Sequence, residues 1–271
     1  KKIFKIMNQL EIFCVTNKKI PKLEKSKYKL AAVGMNKFSD IYLTCDTGDN
    51  IFDKEKYYSE LTFHYWYWKN LYAKNSKNWI GFCQRRRFFI KPEIPESEIN
   101  IDNLNKYIVT EPENDWDKYN SIICSPICVS GAKKIKLLKR GWKNIVKNPS
   151  IFFNKNKETI ALHFDMHHGY GNLNLAIDLL DIEDKDEFKF FVNTENKYNP
   201  HIMFIARPEI LNKWFGTLFP WLQRCEKKFM LEKLKGYDTT RILAYLAERY
   251  LSFWFRKYTK FKENSWIFIN H

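Results

Sequence analysis

Short runs of apolar residues alternate along the chain with longer segments in which apolar residues recur every three or four positions. The short runs predict β-strands, whereas the longer periodicity predicts amphipathic helices. The predicted strands cover residues 11–15, 41–44, 79–83, 121–124, 160–164 and 202–206. Because helical segments lie between these strands, the pattern predicts an α/β fold whose sheet has parallel character.

Three apolar stripes at helical spacing predict the longest helices. The first stripe consists of four residues, Leu61, Tyr65, Trp68 and Tyr72. The other two stripes run through residues 211–222 and 242–254, and Pro220 is expected to kink or split the earlier helix. Residues 209–271 are therefore predicted to form a helical C-terminal part. The acidic, Asn-rich residues 92–118 are predicted to be a loop insertion in a single domain that spans residues 1–271.

The composition shows a globular chain with a basic surface. Apolar residues make up 45% and aromatic residues 17%, which excludes a disordered chain, and 46 Lys and Arg against 31 Asp and Glu give a net charge of +15. Such a surface favours nucleic acid, phosphorylated substrates or an acidic membrane. The six scattered cysteines indicate free thiols, and no apolar run reaches about 18 residues, so we expect a cytoplasmic protein.

Two Asp-x-Asp pairs could in principle hold a divalent metal on a pyrophosphate. They are Asp115-Trp116-Asp117 and Asp184-Lys185-Asp186. Neither follows a predicted strand, and the carboxyl end of a strand is where such a pair would meet a ligand. No metal-binding residues are therefore predicted, and a requirement for Mg²⁺ or Mn²⁺ is left open.

The densest histidine segment follows the predicted strand 160–164. That strand would carry Asp165, His167 and His168 to the carboxyl edge of the sheet, where a carboxylate or imidazole could accept a proton from a hydroxyl group. The same side chains could instead bind a metal. In a third interpretation Asp165 or Asn172 simply caps the next helix.

Three consecutive arginines, Arg85, Arg86 and Arg87, follow the predicted strand 79–83. Arginine is suited to bidentate phosphate binding, so the run predicts a fixed anion site. A nucleic-acid surface is the alternative, but such surfaces usually combine several basic clusters with exposed aromatic residues. Glu60 and Lys69, in the first predicted helix, are placed either to close that helix or to face the arginines.

Several blocks together resemble a bacterial family known only as a domain of unknown function. The blocks are Val15-Thr16, GDNI at 48–51, YSELT and YWYWKN within 58–70, WIGFCQRRRFF at 79–89, HIMFIARPEIL from His201 and AERYLSFWFRK at 247–257. Members of that family are typically encoded among capsule and O-antigen genes and are regarded as glycosyltransferases. The resemblance implies a GT-A-like, Rossmann-type mixed sheet flanked by helices. The chain departs from the family pattern in having Gln84 for a histidine and Arg85 for a tyrosine.

The resemblance implies a nucleoside diphosphate sugar as donor and a glycan or lipid-linked glycan as acceptor. With the residue patterns, it gives a predicted donor site of Thr16, Asn17, Lys18, Gly48, Asp49, Asn50, Glu60, Lys69, Asn70, Arg86 and Arg87. The predicted catalytic residues are Asp165 and His167, and the predicted acceptor-binding residues are His168, Asn199 and Met203. Arg85, the departure from the pattern, is expected to be the most solvated of the three arginines.

Two other functions remain open at the level of sequence. One is a metal-dependent hydrolase or phosphotransferase that uses Asp165, His167 and His168, and the other is a nucleic-acid-binding module. The transferase interpretation expects no nucleic-acid partner. The basic and aromatic segment 250–262 is compatible with peripheral contact at the cytoplasmic face of the inner membrane, although its aromatic residues are predicted to belong to the core.

Overall fold

The sheet is the frame on which the other elements are arranged, and the computed structural model describes residues 9–73, 77–91, 95–130, 134–154 and 157–270. Its strands are β1 Leu10–Thr16, β2 Lys29–Ala32, β3 Tyr42–Leu43, β4 Trp79–Gln84, β5 Arg87–Phe89, β6 Ser121–Cys124, β7 Ile127–Cys128, β8 Lys197–Tyr198, β9 Phe204–Ala206, β10 Phe261–Asn264 and β11 Trp266–Phe268. Strands β7 and β8 pair with each other in a separate small ribbon.

The main sheet has the order β10-β6-β9-β4-β1-β2-β3, and β5 and β11 extend it from the end of β4. Strands β1 to β4 are parallel to their neighbours in this set, whereas β9 is antiparallel to both β4 and β6. From β1 the chain moves outward through β2 and β3 and then returns to the other side of β1 as β4. The carboxyl ends of β1 and β4 therefore lie at a topological switch point, where ligands usually bind in open α/β sheets.

The helices pack on both faces of the sheet. They are α1 Glu55–Tyr58, α2 Leu61–Trp66, α3 Leu104–Tyr107, α4 Lys134–Arg140, α5 Trp142–Lys147, α6 Ile160–His168, α7 Asn172–Ile177, α8 Ile182–Thr194, α9 Pro208–Phe229, α10 Tyr237–Thr240 and α11 Ile242–Tyr258. A π-helical turn, Tyr67–Leu71, continues α2. The predicted α/β class, a mixed sheet flanked by helices with a helical C-terminal part, is confirmed.

Alternating side chains of the central strands supply two hydrophobic cores. In β1, Phe13 and Val15 enter the core formed with α9 and α11, while Ile12 and Cys14 enter the core on the opposite face. Both faces are thus covered by protein. This explains why β1 and β4 read as nearly continuous apolar runs rather than as strict alternation.

The predicted strand 160–164 is wrong, because these residues begin helix α6. Thr159 caps this helix, and its hydroxyl accepts a hydrogen bond of 3.3 Å from the amide of Leu162. Ile160 and Phe164 enter the large core, whereas Leu162 enters a small third core on another side. A helix buried on two sides lacks the single apolar stripe that identifies an amphipathic helix, and its apolar residues mimic strand alternation.

Three other expectations are modified by the structure. Helix α9 runs without a break through Pro220 and so is not split. The described part of the predicted loop insertion, residues 95–118, contains α3 and buries Trp116 against Trp79, with ring centroids 5.2 Å apart. The C-terminal part ends in β10 and β11, which join the main sheet beside β6 and β5. The assignment of the whole chain to a single domain stays a prediction.

Gly81→Ala is expected to destabilise the protein by about 1–3 kcal/mol, because overpacking a core displaces its neighbours. A Cβ at Gly81 would lie 2.7 Å from Cγ1 of Ile205 and 3.0 Å from Cγ1 of Ile12. The matched control is Gly216→Ala in helix α9, where a Cβ meets nothing within 4 Å. That change is expected to stabilise by about 1 kcal/mol through helix propensity. Urea denaturation measures both, and equal midpoints would contradict the close packing described for Gly81.

Candidate active site

A cavity of about 240 Å³ opens at the carboxyl ends of β1 and β4, and we name it the arginine cavity. Its polar lining consists of Thr16, Asn17, Lys18, Ser59, Glu60, Gln84, Arg85, Arg86, Arg87, Tyr237 and Arg241. Six of these, Thr16, Asn17, Lys18, Glu60, Arg86 and Arg87, were predicted from sequence as donor-site residues. The cavity lies at the switch point of the sheet, which is the usual ligand position in this architecture.

The three consecutive arginines reach this cavity because a tight hairpin follows β4. Gln84 ends β4 and pairs with Arg87, the first residue of β5, so that Arg85 and Arg86 form the turn. The turn is fixed by the Arg85 amide, which donates to the Val15 carbonyl at 3.1 Å, and by the Arg86 carbonyl, which accepts from the Ile269 amide at 2.8 Å. Arg85 lines the same cavity as Arg86 and Arg87 and is only partly exposed.

Gln84 connects a carboxylate to a guanidinium at the floor of the cavity. Its side-chain Nε2 donates to Glu60 Oε1 and, at 2.9 Å, to the carbonyl of His201. Its Oε1 accepts from Arg87 Nη1 at 2.8 Å. Both N–H donors of the side-chain amide are used, and its oxygen accepts from Arg87, so Gln84 holds Glu60 and Arg87 in a defined relative position.

Burial and mutual repulsion make the cavity a favourable place for an anion. Burial lowers the pKa of Arg85 and of Arg87, and the neighbouring Arg86 guanidinium lowers both further. Among the described residues, the buried Nε of Arg87 has no hydrogen-bond partner. Burial raises the pKa of Glu60 above its ordinary value. A bound diphosphate would relieve the repulsion among the guanidinium groups and supply acceptors for their free N–H groups.

Arg241 and Tyr237 complete the cavity from the C-terminal part and were missed by the sequence analysis. Arg241 Nη1 donates to Ser59 Oγ at 3.0 Å and to Tyr237 Oη at 3.3 Å, and its Nη2 lies 3.4 Å from Glu55 Oε1. The sequence offers one weak signal, a polar segment GYDTTR that interrupts two apolar helical stripes. Nothing in the spacing relates residue 241 to residue 85.

A smaller cavity of about 120 Å³, which we name the inner cavity, adjoins the arginine cavity and shares Glu60, Gln84 and Arg87 with it. There, Glu248 Oε1 accepts a 2.5 Å hydrogen bond from the His201 amide. Burial lowers the pKa of His201 to about 2, with the Arg87 and Arg249 charges adding to the effect, so its imidazole is neutral. His201 is therefore not part of the positive charge of the site.

Backbone strain is concentrated around these two cavities. Ser59, His201 and Ile202 have φ values of 53°, 74° and 51°, which are unfavourable for residues other than glycine. All three line the inner cavity, and Ser59 also lines the arginine cavity. Strained backbone that survives in a folded protein commonly lies at functional sites, because surrounding contacts hold it for a purpose other than stability.

The remaining predicted donor residues come together at a different place. Asn70 Oδ1 accepts from the Asp49 amide at 3.1 Å, and Asn70 Nδ2 donates to the Asp49 carbonyl at 2.8 Å. Gly48 has a φ of 60°, and the Asn50 side chain donates back to its carbonyl at 3.0 Å. Lys69 Nζ lies 3.9 Å from the centroid of the Trp68 ring. These contacts build a stable turn that does not line the arginine cavity.

Asp165 lies in helix α6, not at the end of a strand. Its Oδ1 accepts from the Gly171 amide at 3.0 Å and its Oδ2 from Asn144 Nδ2 at 3.1 Å, so it caps the start of α7. Burial raises its pKa. Asp165 and His167 line a cavity of about 450 Å³, which we name the Asp165 cavity. Tyr237 lines both this cavity and the arginine cavity, so the two adjoin.

The three predicted acceptor residues are largely buried. His168 stacks on Tyr245 with ring centroids 3.8 Å apart, and burial lowers its pKa to about 3. Asn199 donates to the Cys124 carbonyl at 2.7 Å, and Met203 belongs to the core that contains Ile12. Asn199 and Met203 have no exposed surface, so the structure gives neither a face toward an acceptor.

The sequence of the chain also matches a known family. A family model described as a domain of unknown function, DUF4422, matches residues 11–260. The chain belongs to the DUF4422 family. A search of curated proteins found no match.

A solved structure, the apo form of the WbbM bifunctional glycosyltransferase, is similar to this DUF4422 chain with a TM-score of 0.65 and 18% sequence identity. The match covers 97% of this chain and 46% of that one, so the chain spans about half the length of the matched protein. At this identity the likeness shows the fold, which is that of a glycosyltransferase structure.

In the part of this DUF4422 protein that the structure describes, the donor atoms do not fit a divalent metal site. Across the described residues, no group of three or more His, Cys, Asp and Glu side chains is arranged to hold a metal ion. Of the two Asp-x-Asp pairs, Asp115 is bound at 2.9 Å by Lys262, and Asp184 accepts from Tyr258 at 2.6 Å. In the described part of the chain, no helix combines the length and apolar character needed to cross a bilayer.

Proposed function

We propose that this DUF4422 protein is a glycosyltransferase that moves a hexosyl group from a nucleoside diphosphate sugar, such as a UDP-sugar, to an acceptor hydroxyl. The acceptor is a glycan or lipid-linked glycan of capsule or O-antigen type, and transfer takes place at the cytoplasmic face of the membrane. One observation carries the proposal: four arginines, Arg85, Arg86, Arg87 and Arg241, line one cavity at the switch point of the sheet. The fold shared with a glycosyltransferase supports it.

The arginines would act on the leaving group. When the glycosidic C–O bond breaks, its electron pair stays with the diphosphate, where negative charge increases. Guanidinium groups already fixed around that position stabilise the transition state without reorganisation, which is a large catalytic contribution in a partly desolvated site. Arg87 is held by Gln84, and Arg241 is held by Ser59, so both are positioned before the donor binds.

The nucleoside end of the donor is assigned to the turn after β1. Thr16 Oγ1 donates to the Lys18 carbonyl at 2.6 Å and accepts from the Lys18 amide at 3.0 Å, which fixes the turn. Asn36 Nδ2 donates to the Asn17 carbonyl at 2.6 Å and supports it from outside. Lys18, which is exposed, lines the arginine cavity together with the hairpin arginines.

The role of proton acceptor is moved from Asp165 to Glu60. Asp165 was assigned on the expectation that it ended a strand, and that strand is a helix. Glu60 lines the arginine cavity, and burial raises its pKa toward the range in which a carboxylate is an effective base. Glu60 would take the proton of the acceptor hydroxyl as its oxygen attacks the sugar. Asp165 and His167, which were predicted to be catalytic, are assigned instead to binding the acceptor in the adjoining cavity.

A thermal-shift panel tests the proposed donor. UDP, GDP, dTDP and CMP, with their sugar conjugates, are added with and without manganese. At a concentration of about 100 times the dissociation constant, a true ligand adds about 2.7 kcal/mol of stability and raises Tm by several degrees. A nucleic-acid-binding module would show no such shift but a steep salt-dependent affinity for nucleic acid, and that result would refute the proposal.

An assay of sugar release separates a transferase from a hydrolase. A hydrolase would release free sugar from the donor at the same rate with and without an acceptor, and that result would also refute the proposal.

Gln84→Leu is expected to lower kcat by about tenfold to a hundredfold, because Glu60 and Arg87 lose the side chain that links them. Gln84→His is the matched control, since an imidazole can donate to Glu60 or accept from Arg87. It should retain more activity than the leucine variant at similar thermal stability. Equal kcat for both variants and the parent would show that Gln84 has no positioning role.

A further inference from the structure

Helices α4 and α5 present apolar residues to solvent beside a dense set of positive charges. Leu138, Trp142, Val146 and Phe153 are 52%, 53%, 71% and 81% exposed. Trp142 and Val146 are four residues apart and so lie on one side of α5, while Leu138 is exposed on α4 and Phe153 beyond the end of α5. Large exposed apolar residues grouped in this way usually mark an interaction surface.

The inner side of the same helices is already satisfied. Leu137 and Ile151 are buried against Leu162 and Met166 of α6, and Ile145 packs on that cluster. The exposed residues are therefore not an unfilled part of the core. The helix pair has one apolar side that faces the protein and a second that faces outward.

The charged residues of α4, α5 and the turn that follows them have a single sign. Residues 134–154 contain six Lys and Arg residues and no Asp or Glu. Lys134, Lys139, Arg140, Lys143 and Lys147 are exposed on α4 and α5, around the outward apolar residues. Together these five basic residues and Leu138, Trp142, Val146 and Phe153 form what we name the basic-apolar surface.

We propose that the basic-apolar surface docks the protein onto an anionic lipid bilayer. A helix pair with apolar residues on its outer side and lysines around them is suited to lying in the interface plane, with the apolar side chains among the acyl chains and the cations at the headgroups. Trp142 suits this position, because tryptophan side chains favour the level of the headgroups at the membrane–water interface. In α11, by contrast, Tyr250, Phe253, Trp254 and Phe255 are buried in the core, and Tyr258 at its end is the one strongly exposed aromatic residue, so that helix is not the docking element.

This docking does not depend on the transfer reaction, but it has a consequence for the reaction. Arg140, Trp142 and Lys143 belong to the basic-apolar surface and also line the Asp165 cavity. The cavity assigned to the acceptor thus opens beside the surface that meets the bilayer. If the proposed function is correct, a lipid-linked acceptor would enter it from the membrane.

Vesicle sedimentation of the full chain, without substrates, tests the docking. We expect binding to vesicles of phosphatidylglycerol mixed with phosphatidylcholine, weak binding to pure phosphatidylcholine, and loss of binding at high salt. Lys134→Gln/Lys139→Gln should weaken binding about 25-fold, and Leu138→Asn/Val146→Asn at least about tenfold. None of these four side chains lines the Asp165 cavity or the arginine cavity.

The matched control is Ile182→Asn/Phe190→Asn in helix α8. These residues are similarly exposed, at 74% and 71%, but lie in an acidic helix. The control should bind vesicles like the parent, and unchanged melting temperatures should show that every variant folds. The proposal is overturned if the parent binds equally to anionic and to pure phosphatidylcholine vesicles. It is also overturned if the Leu138→Asn/Val146→Asn variant binds anionic vesicles as tightly as the parent does. Tighter binding to duplex DNA than to vesicles, or a dimer that the Leu138→Asn/Val146→Asn variant dissociates, overturns it as well.

Discussion

Arg87→Ala is expected to reduce kcat by about 10²–10³-fold, the usual cost of removing one fixed group that stabilises transition-state charge. Arg87 is fixed in the site, because Gln84 holds its Nη1 at 2.8 Å and Glu60 and Glu248 face it electrostatically. Its loss removes positive charge from the leaving diphosphate and leaves Glu60 without the cation that Gln84 holds beside it. Both effects act on the chemical step, so kcat should fall more than KM rises.

Arg224→Ala is the matched control for this experiment. Arg224 is likewise held by a side-chain hydrogen bond, to Asp181 at 2.9 Å, but it does not line the arginine cavity. Its removal should leave kcat unchanged. Arg87→Lys separates charge from geometry, because a lysine restores the positive charge without the planar fork that binds phosphate at two points. If Arg87→Ala retains parental kcat and parental affinity for UDP, the diphosphate does not bind where we place it.

The fold was predictable from the sequence for two kinds of element. These are helices with one buried side and short strands that are wholly buried. Strands 79–83 and 121–124 were located almost to the residue, and the stripes of α9 and α11 were read correctly. The failure at α6 has a physical cause, since burial on two sides removes the periodicity that identifies a helix. Strands such as β5 and β11 are too short to have a pattern of their own, and only their pairing defines them.

The site was predictable as far as it consists of residues that follow a strand. The arginines and the turn after β1 are of this kind, because a strand end fixes its neighbours at the edge of the sheet. Arg241 and Glu248 are not, since they reach the cavity through the packing of a distant helix. The argument that placed Asp165 at the edge of the sheet has a different fault, because it applied the rule for strand ends to residues that form a helix.

The assignment of Glu60 leads to the second large effect. Glu60→Gln is expected to lower kcat by about 10²–10⁴-fold, the usual contribution of a general base. Asp165→Asn should reduce kcat far less and should mainly raise KM for the acceptor, because Asp165 caps α7 in the adjoining cavity. The two changes are matched, since each replaces a carboxylate by its amide. Measuring nucleoside diphosphate release for both variants compares the two assignments directly.

The pH dependence separates loss of a base from loss of structure. Burial raises the pKa of Glu60, so the parental rate should fall as the pH drops through a value above that of an ordinary glutamate, and Glu60→Gln should lack that limb. The same shift makes the ionised carboxylate unfavourable in the folded state. The Glu60 carboxyl group therefore contributes its full stabilisation of the folded state below its unfolded-state pKa, and this contribution is lost as the pH rises through its folded-state pKa. At neutral pH the Glu60→Gln variant should therefore have a melting temperature at or above that of the parent, although its activity is largely lost. Full activity in Glu60→Gln together with a large loss in Asp165→Asn would instead identify Asp165 as the base.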